Sequence, residues 1–170
     1  HNAKMAKHKA VRDKIMAEKT LTKGLLIVHT GAGKGKSSAA LGMVFRHIGH
    51  GLPVGIVQFT KSPDWVTGEA LLLAKFTELC TLEIMGDGFT WDSDDLANDR
   101  AHAARGWAKG VELMEAGLHQ LVIFDELTYL SSFNWLPIGD IIGPIAARPR
   151  HVNVIVTGRD AAPELIDLAD

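Results

Sequence analysis

The apolar run Leu25-Leu26-Ile27-Val28 leads straight into His29-Thr30-Gly31-Ala32-Gly33-Lys34-Gly35-Lys36-Ser37-Ser38, and a helical pattern begins where that loop ends. This junction constrains the chain more than any other feature. Three glycines in five residues let the backbone turn tightly and point several N–H groups inward. The helix predicted over 37–47, with Ala40, Met43, Val44 and Ile48 on one face, adds the positive end of its dipole. Lys34 and Lys36 add full charges, so the turn is suited to cradling phosphate. The strict pattern GxxxxGK[ST] would need glycine at position 30, where this chain has Thr30. The loop is therefore a variant P-loop, with Lys36 beside a triphosphate and Ser37 within reach of Mg²⁺.

The strand-then-helix rhythm continues. Short apolar runs predict further strands over 54–59, 82–85, 121–124 and 152–156, and periodic stretches predict helices over 69–79, 94–115, 138–147 and 163–168. The strands are nearly all apolar instead of alternating, as expected when helices cover both faces of a parallel sheet. The expected fold class is α/β, P-loop NTPase-like and RecA-like, with a mostly parallel sheet. At 170 residues and 46% apolar content, one domain spanning 24–170 can build a sufficient core.

Residues 1–23 differ in kind. Seven Lys or Arg against Asp13 and Glu18 give that segment +5, which leaves −7 on the remainder of a chain whose total is −2. It lacks Gly and Pro, and Val11, Ile15 and Met16 at helical spacing predict a basic helical arm, either a solvated tail or a partner-docking helix. The overall charge argues against a surface built to coat nucleic acid. No apolar run is long enough to span a bilayer, so a cytoplasmic protein without a membrane partner is expected. Cys80 is the only cysteine, which excludes disulfide scaffolds, and the histidines do not fall into zinc-ligand spacing.

A phosphate loop needs a partner strand ending in acid, because magnesium takes hard oxygen ligands. Leu121-Val122-Ile123-Phe124-Asp125-Glu126 supplies it. Asp125 is the stronger metal candidate; Glu126 is placed for a water or for orienting the ion's ligands. These features alone would equally suit a small-molecule kinase or ATPase, or a RecA-like nucleic-acid-binding module.

A larger pattern narrows the choice. Thr30-Gly31-x-Gly33-Lys34-Gly35-Lys36-Ser37-Ser38-Ala39-Ala40, Arg46, Gly49-His50-Gly51, Val57-Gln58-Phe59-x-Lys61, Gly68-Glu69, Gly88-Phe89-Thr90-Trp91, Asp125-Glu126-Leu127-Thr128-Tyr129 and Thr157-Gly158-Arg159 occur together and in order. This set closely resembles the bacterial ATP:corrinoid adenosyltransferases of the P-loop type. The resemblance departs at Ser37-Ser38, where relatives usually carry Thr-Thr, and both hydroxyls are kept. Relatives also continue beyond the region of Asp170, through another strand and a basic segment.

The resemblance implies transfer of the 5′-deoxyadenosyl group of ATP to cobalt(I) of a corrinoid, cobalamin or cobyrinic acid a,c-diamide, with release of triphosphate. Residues 30–38 (Thr30, Gly31, Ala32, Gly33, Lys34, Gly35, Lys36, Ser37 and Ser38) would then bind the nucleotide. Ser37, Asp125 and Glu126 would hold Mg²⁺ or Mn²⁺, with Glu126 also a catalytic candidate. Lys34, Lys36, Arg46 and Arg159 look like the cations that disperse leaving-group charge. Phe89 and Trp91 would wedge under the corrin ring and displace the lower axial ligand, easing reduction of cobalt(II). The resemblance further implies a homodimer and a reduced flavoprotein as electron donor. The loop over 61–68, with Trp65 in it, is expected to be mobile and to cover the same site.

Overall fold

A computed structural model of the chain describes residues 2–86 and 96–170. Five parallel strands form one sheet: β1 (Leu26–His29), β2 (Val54–Gln58), β3 (Cys80–Ile84), β4 (Leu121–Asp125) and β5 (Asn153–Thr157), in spatial order β1-β5-β4-β2-β3. The helices are α1 (Asn2–Glu18), α2 (Lys36–Gly49), α3 (Gly68–Leu73), α4 (Leu96–Glu115), α5 (Thr128–Ser132), α6 (Ile138–Ala147) and α7 (Pro163–Leu168).

The inner strands β2, β4 and β5 are buried along almost their whole length, as their apolar sequences require, and the edge strands β1 and β3 are half-buried. On one face Ala40, Val44 and Ile48 of α2 pack over Ile56, Ile123 and Ile155. On the other, Trp107 and Met114 of α4, Ile141 and Ile145 of α6 and Leu165 of α7 cover Val57, Phe124 and Val156. Trp107 meets Phe124 edge to face at 5.3 Å, and its indole N–H donates to the Asp140 carbonyl at 3.0 Å. The α/β class, the parallel sheet and the coverage of both faces agree with the sequence expectation.

Two elements differ from that expectation. The helix predicted over 69–79 ends at Leu73, and strand β3 starts at Cys80 instead of position 82. The register explains both: Val54 pairs with Cys80 and Gln58 with Ile84, so β3 uses the full length of β2 and the chain must turn before it. That turn is made by Leu79 and Cys80 N–H groups donating to the Phe76 carbonyl. Helix α5 was not predicted; its five residues are too few to show a period. Helix α1 spans Asn2–Glu18, and Met5, Val11, Ile15 and Met16 on it are all exposed.

The topology fixes where a ligand can sit. The connection after β1 goes to one face of the sheet while those after β4 and β5 lead to helices on the other. A crevice therefore opens beyond the carboxyl ends of β1, β5 and β4.

Candidate active site

The loop over 30–35 fills one wall of that crevice. Gly31 and Gly35 take φ of 117° and 100°, a left-handed geometry that a side chain would strain. Gly35 sits directly before α2, so the turn hands the chain to the helix with no side-chain cap on its first N–H groups. Those free donors point where an anion would bind. Lys36 bends back over the loop, its ammonium donating to the Gly31 carbonyl at 2.8 Å and to the Gly33 carbonyl. The resulting cleft, about 310 Å³, is lined by the 33–38 stretch together with Glu126, Tyr129 and Arg159.

Beneath the cleft lie the two acids. Asp125 is 3% exposed; its Oδ1 accepts the Thr157 hydroxyl at 2.7 Å and its Oδ2 accepts Gln58 Nε2 at 3.2 Å. Thr157 also accepts the Glu126 N–H at 2.9 Å. That bond helps to hold Glu126 at φ 65°, a conformation of the kind stored at functional sites. The kink carries the Glu126 side chain into the cleft, where it accepts the Thr60 hydroxyl. Burial, then the neighbouring Asp125 charge, push the Glu126 carboxyl above its ordinary range, against the pull of Lys61, Lys36 and Arg159. Lys61 reaches in from the end of β2, 2.8 Å from Glu69 Oε1 and 3.6 Å from Asp125 Oδ2. Burial works against its charge, yet the Glu69 hydrogen bond and the Asp125, Glu69 and Glu126 charges outweigh it and raise the Lys61 pKa.

A pH-dependent stability follows. Because folding raises the Glu126 pKa, the ionised carboxylate costs stability as pH climbs through that value; well below the ordinary carboxylate pKa it is protonated folded or unfolded and costs nothing. Glu126→Gln is therefore expected to raise the melting temperature at pH 7.5 and to lose that gain near pH 3.5. A gain of equal size at both pH values would contradict the assigned burial of charge.

The structure brings together Gly33, Lys34, Gly35, Lys36, Ser37, Ser38, Glu126 and Arg159 from the sequence-predicted set. The Thr30 hydroxyl accepts the Ala161 N–H at 3.3 Å, tying the phosphate loop to the Arg159 loop. Gly31 contributes its carbonyl to Lys36, and Ala32 is exposed. Arg46 is exposed on α2 and does not line the cleft. At a rise of about 1.5 Å per residue it stands roughly 15 Å from Lys36 along the helix. Phe89 and Trp91 lie outside the described residues. Of the two acids, Glu126 lines the cleft and Asp125 is buried next to it. Gln58, Thr60, Thr157 and Tyr129 had no assigned role; Gln58, Thr157 and Tyr129 stand in the motif set, but only the parallel register places the β2 and β5 ends against Asp125.

The donor set fits magnesium. No cluster of three or more His, Cys, Asp or Glu among the described residues could hold a metal unaided. Mg²⁺ asks for less from the protein: one or two carboxylates, a hydroxyl, waters and the substrate phosphates. Ser37 and Glu126, both lining the cleft, with the buried Asp125 next to Glu126, offer that combination.

Comparison with known proteins points to one family. The family model for "ATP:corrinoid adenosyltransferase BtuR/CobO/CobP" matches residues 22–170. A corrinoid adenosyltransferase of a Sinorhizobium species is 43% identical over 172 residues, covering 100% of this chain and 80% of the relative. The Pseudomonas aeruginosa corrinoid adenosyltransferase is 41% identical, with 100% and 83% covered. Corrinoid adenosyltransferase CobA of Salmonella typhimurium is 38% identical, with 94% and 82% covered. With a phosphate-binding loop, an acid-tipped neighbouring strand and this match across nearly all of its length, the chain belongs to the ATP:corrinoid adenosyltransferase family.

Proposed function

We propose that the protein moves the 5′-deoxyadenosyl group of ATP onto cobalt(I) of a corrinoid, and that the 310 Å³ cleft holds the triphosphate that leaves. The observation that carries this reading is the convergence of Lys34, Lys36 and Arg159 with the uncapped start of α2 on one cleft. In the transfer the cobalt electron pair forms the bond to C5′, the C5′–O bond breaks, and triphosphate departs with that bond's electrons. The nucleophile is supplied by the substrate, so no general base is required. The protein holds C5′ in line and stabilises charge building on the leaving oxygens. Lys36 exchanges its two loop carbonyls for phosphate oxygens, and Arg159, lining the same cleft, adds a second cation to them. When bound, Mg²⁺ screens the triphosphate charge; Ser37 and Glu126 would hold it, with Asp125 orienting the set. Arg46 contributes to charge dispersal only if a further part of the bound substrate reaches that end of α2.

Phosphorus NMR of spent ATP tests this against a kinase or ATPase. Triphosphate is expected; ADP would contradict the reading.

The finer parts of the reading rest on the same family logic. We propose that residues 1–23 form an arm outside the domain of 24–170, supported by the exposure of the apolar residues on α1, and that the protein works as a homodimer in the cytoplasm, where ATP is available. Sedimentation of a monomer at micromolar concentration would contradict the dimer. A reduced flavoprotein is the proposed electron donor. Phe89 and Trp91 are proposed to displace the lower axial ligand of cobalt(II). Alanine at either position is then expected to lower the coupled assay that starts from cobalt(II) and reduced flavoprotein by about tenfold or more, while the assay started from chemically made cobalt(I) changes far less. Equal losses in both assays, with a lower melting temperature, would assign these aromatics to packing.

A further inference from the structure

The acids at the end of β4 are addressed by three groups from the end of β2. Gln58 Nε2 donates to Asp125 Oδ2, the Thr60 hydroxyl donates to Glu126, and Lys61 Nζ stands 3.6 Å from Asp125 Oδ2. Two adjacent carboxylates, one almost fully buried, require a positive charge close by. Lys36, turned onto the loop carbonyls, and the exposed Arg159 also pull on Glu126, but less than Lys61 does, and neither is paired with either acid. Lys61 is the cation in place, its side chain 21% exposed. It also has a second seat already occupied: Glu69 Oε1, 2.8 Å away, in the first turn of α3, where the helix dipole favours an acid. A lysine ammonium on its flexible stem can change partners without the geometric demands of a guanidinium.

We propose that Lys61 is the resident counter-cation of the metal-binding acids, and that binding of Mg²⁺·ATP displaces it fully onto Glu69. This rests on the magnesium reading given above. The divalent ion takes over the charge that Lys61 neutralises, so metal and lysine compete for the acids while Glu69 sets how readily the lysine leaves. Lys61 and Glu69 flank the stretch over 62–67 that carries Trp65, and Glu69 lies in the first turn of α3.

Calorimetric titration with ATP, in excess Mg²⁺ and separately in EDTA, tests it in the wild type, Lys61→Met and Glu69→Gln without corrinoid. In Lys61→Met the affinity for Mg²⁺·ATP is expected to rise about fivefold, the factor that one half-buried ion pair is worth. In Glu69→Gln it is expected to fall about threefold, since Lys61 then has only the acids to pair with. These signs oppose what net charge alone would do to an anionic ligand, because losing a cation weakens and losing an anion strengthens its binding. Unchanged affinities, or changes in the net-charge direction, overturn the proposal while leaving the magnesium reading intact if wild-type binding still depends on Mg²⁺. Equal wild-type affinity in Mg²⁺ and EDTA would remove the magnesium reading and the proposal with it.

Discussion

Lys36→Ala is expected to lower kcat/KM by about 100-fold or more while the melting temperature moves by no more than about 2 °C. The ammonium is held over the phosphate loop by the Gly31 and Gly33 carbonyls, so it is already positioned when the nucleotide arrives. A charge-assisted contact to a leaving triphosphate that strengthens in the transition state is worth about 3 kcal/mol. At about 1.4 kcal/mol per tenfold, that gives the stated factor. The fold should survive because the loop is exposed and water can satisfy the two carbonyls that the lysine leaves. Steady-state kinetics beside a thermal melt checks both halves. Turnover within a few fold of wild type would remove the phosphate-loop assignment.

Gly158→Ala is expected to be the most disruptive single methyl group near the site. Gly158 takes φ of 144°, and a Cβ there would lie 1.9 Å from Thr128 Oγ1 and 2.9 Å from Thr128 Cβ. Thr128 is 1% exposed at the start of α5 and has nowhere to retreat. Overpacking of this kind costs about 1 to 3 kcal/mol, and the strained backbone adds about 1 to 2. A melting temperature lower by about 6 to 12 °C follows for a domain of this size. Binding should suffer as well, since Arg159 is the next residue and Gly158 N–H is tied to the His29 carbonyl at 3.2 Å. Adding Thr128→Gly removes the colliding atoms and should restore part of the melting temperature, giving strong non-additivity. Additive effects in that double variant would show that the clash is not the cause.

These two positions also mark how far the sequence could be read. The Lys36 loop was legible because its information is local: apolar strand, glycines, lysine and helix follow one another within the chain. The same holds for Asp125 and Glu126 at the end of an apolar run, and for the parallel sheet implied by strands without alternation. Gly158 could be recognised as part of a motif, but its need for a bare Cα arises from Thr128, thirty residues away in a helix that sequence did not reveal. The different settings of the two acids were also out of reach. They depend on Thr157 and Gln58 enclosing Asp125 from the strands on either side, and on the positive φ that turns Glu126 outward. Likewise the early end of α3 is set by the pairing of β3 with β2, a long-range constraint that periodicity does not record. Local chemistry was visible in one dimension; the contacts between strand ends required the fold.

The central claim is that carbon, not phosphorus, is transferred. Anaerobic incubation of the protein with Mg²⁺, chemically reduced cobalamin and ATP labelled with carbon-13 at C5′ tests it most directly. Transfer predicts that the label appears in a light-sensitive cobalt–carbon product, in step with released triphosphate. Label that stays in ATP or passes into ADP, with no light-sensitive cobalt species formed, would contradict it.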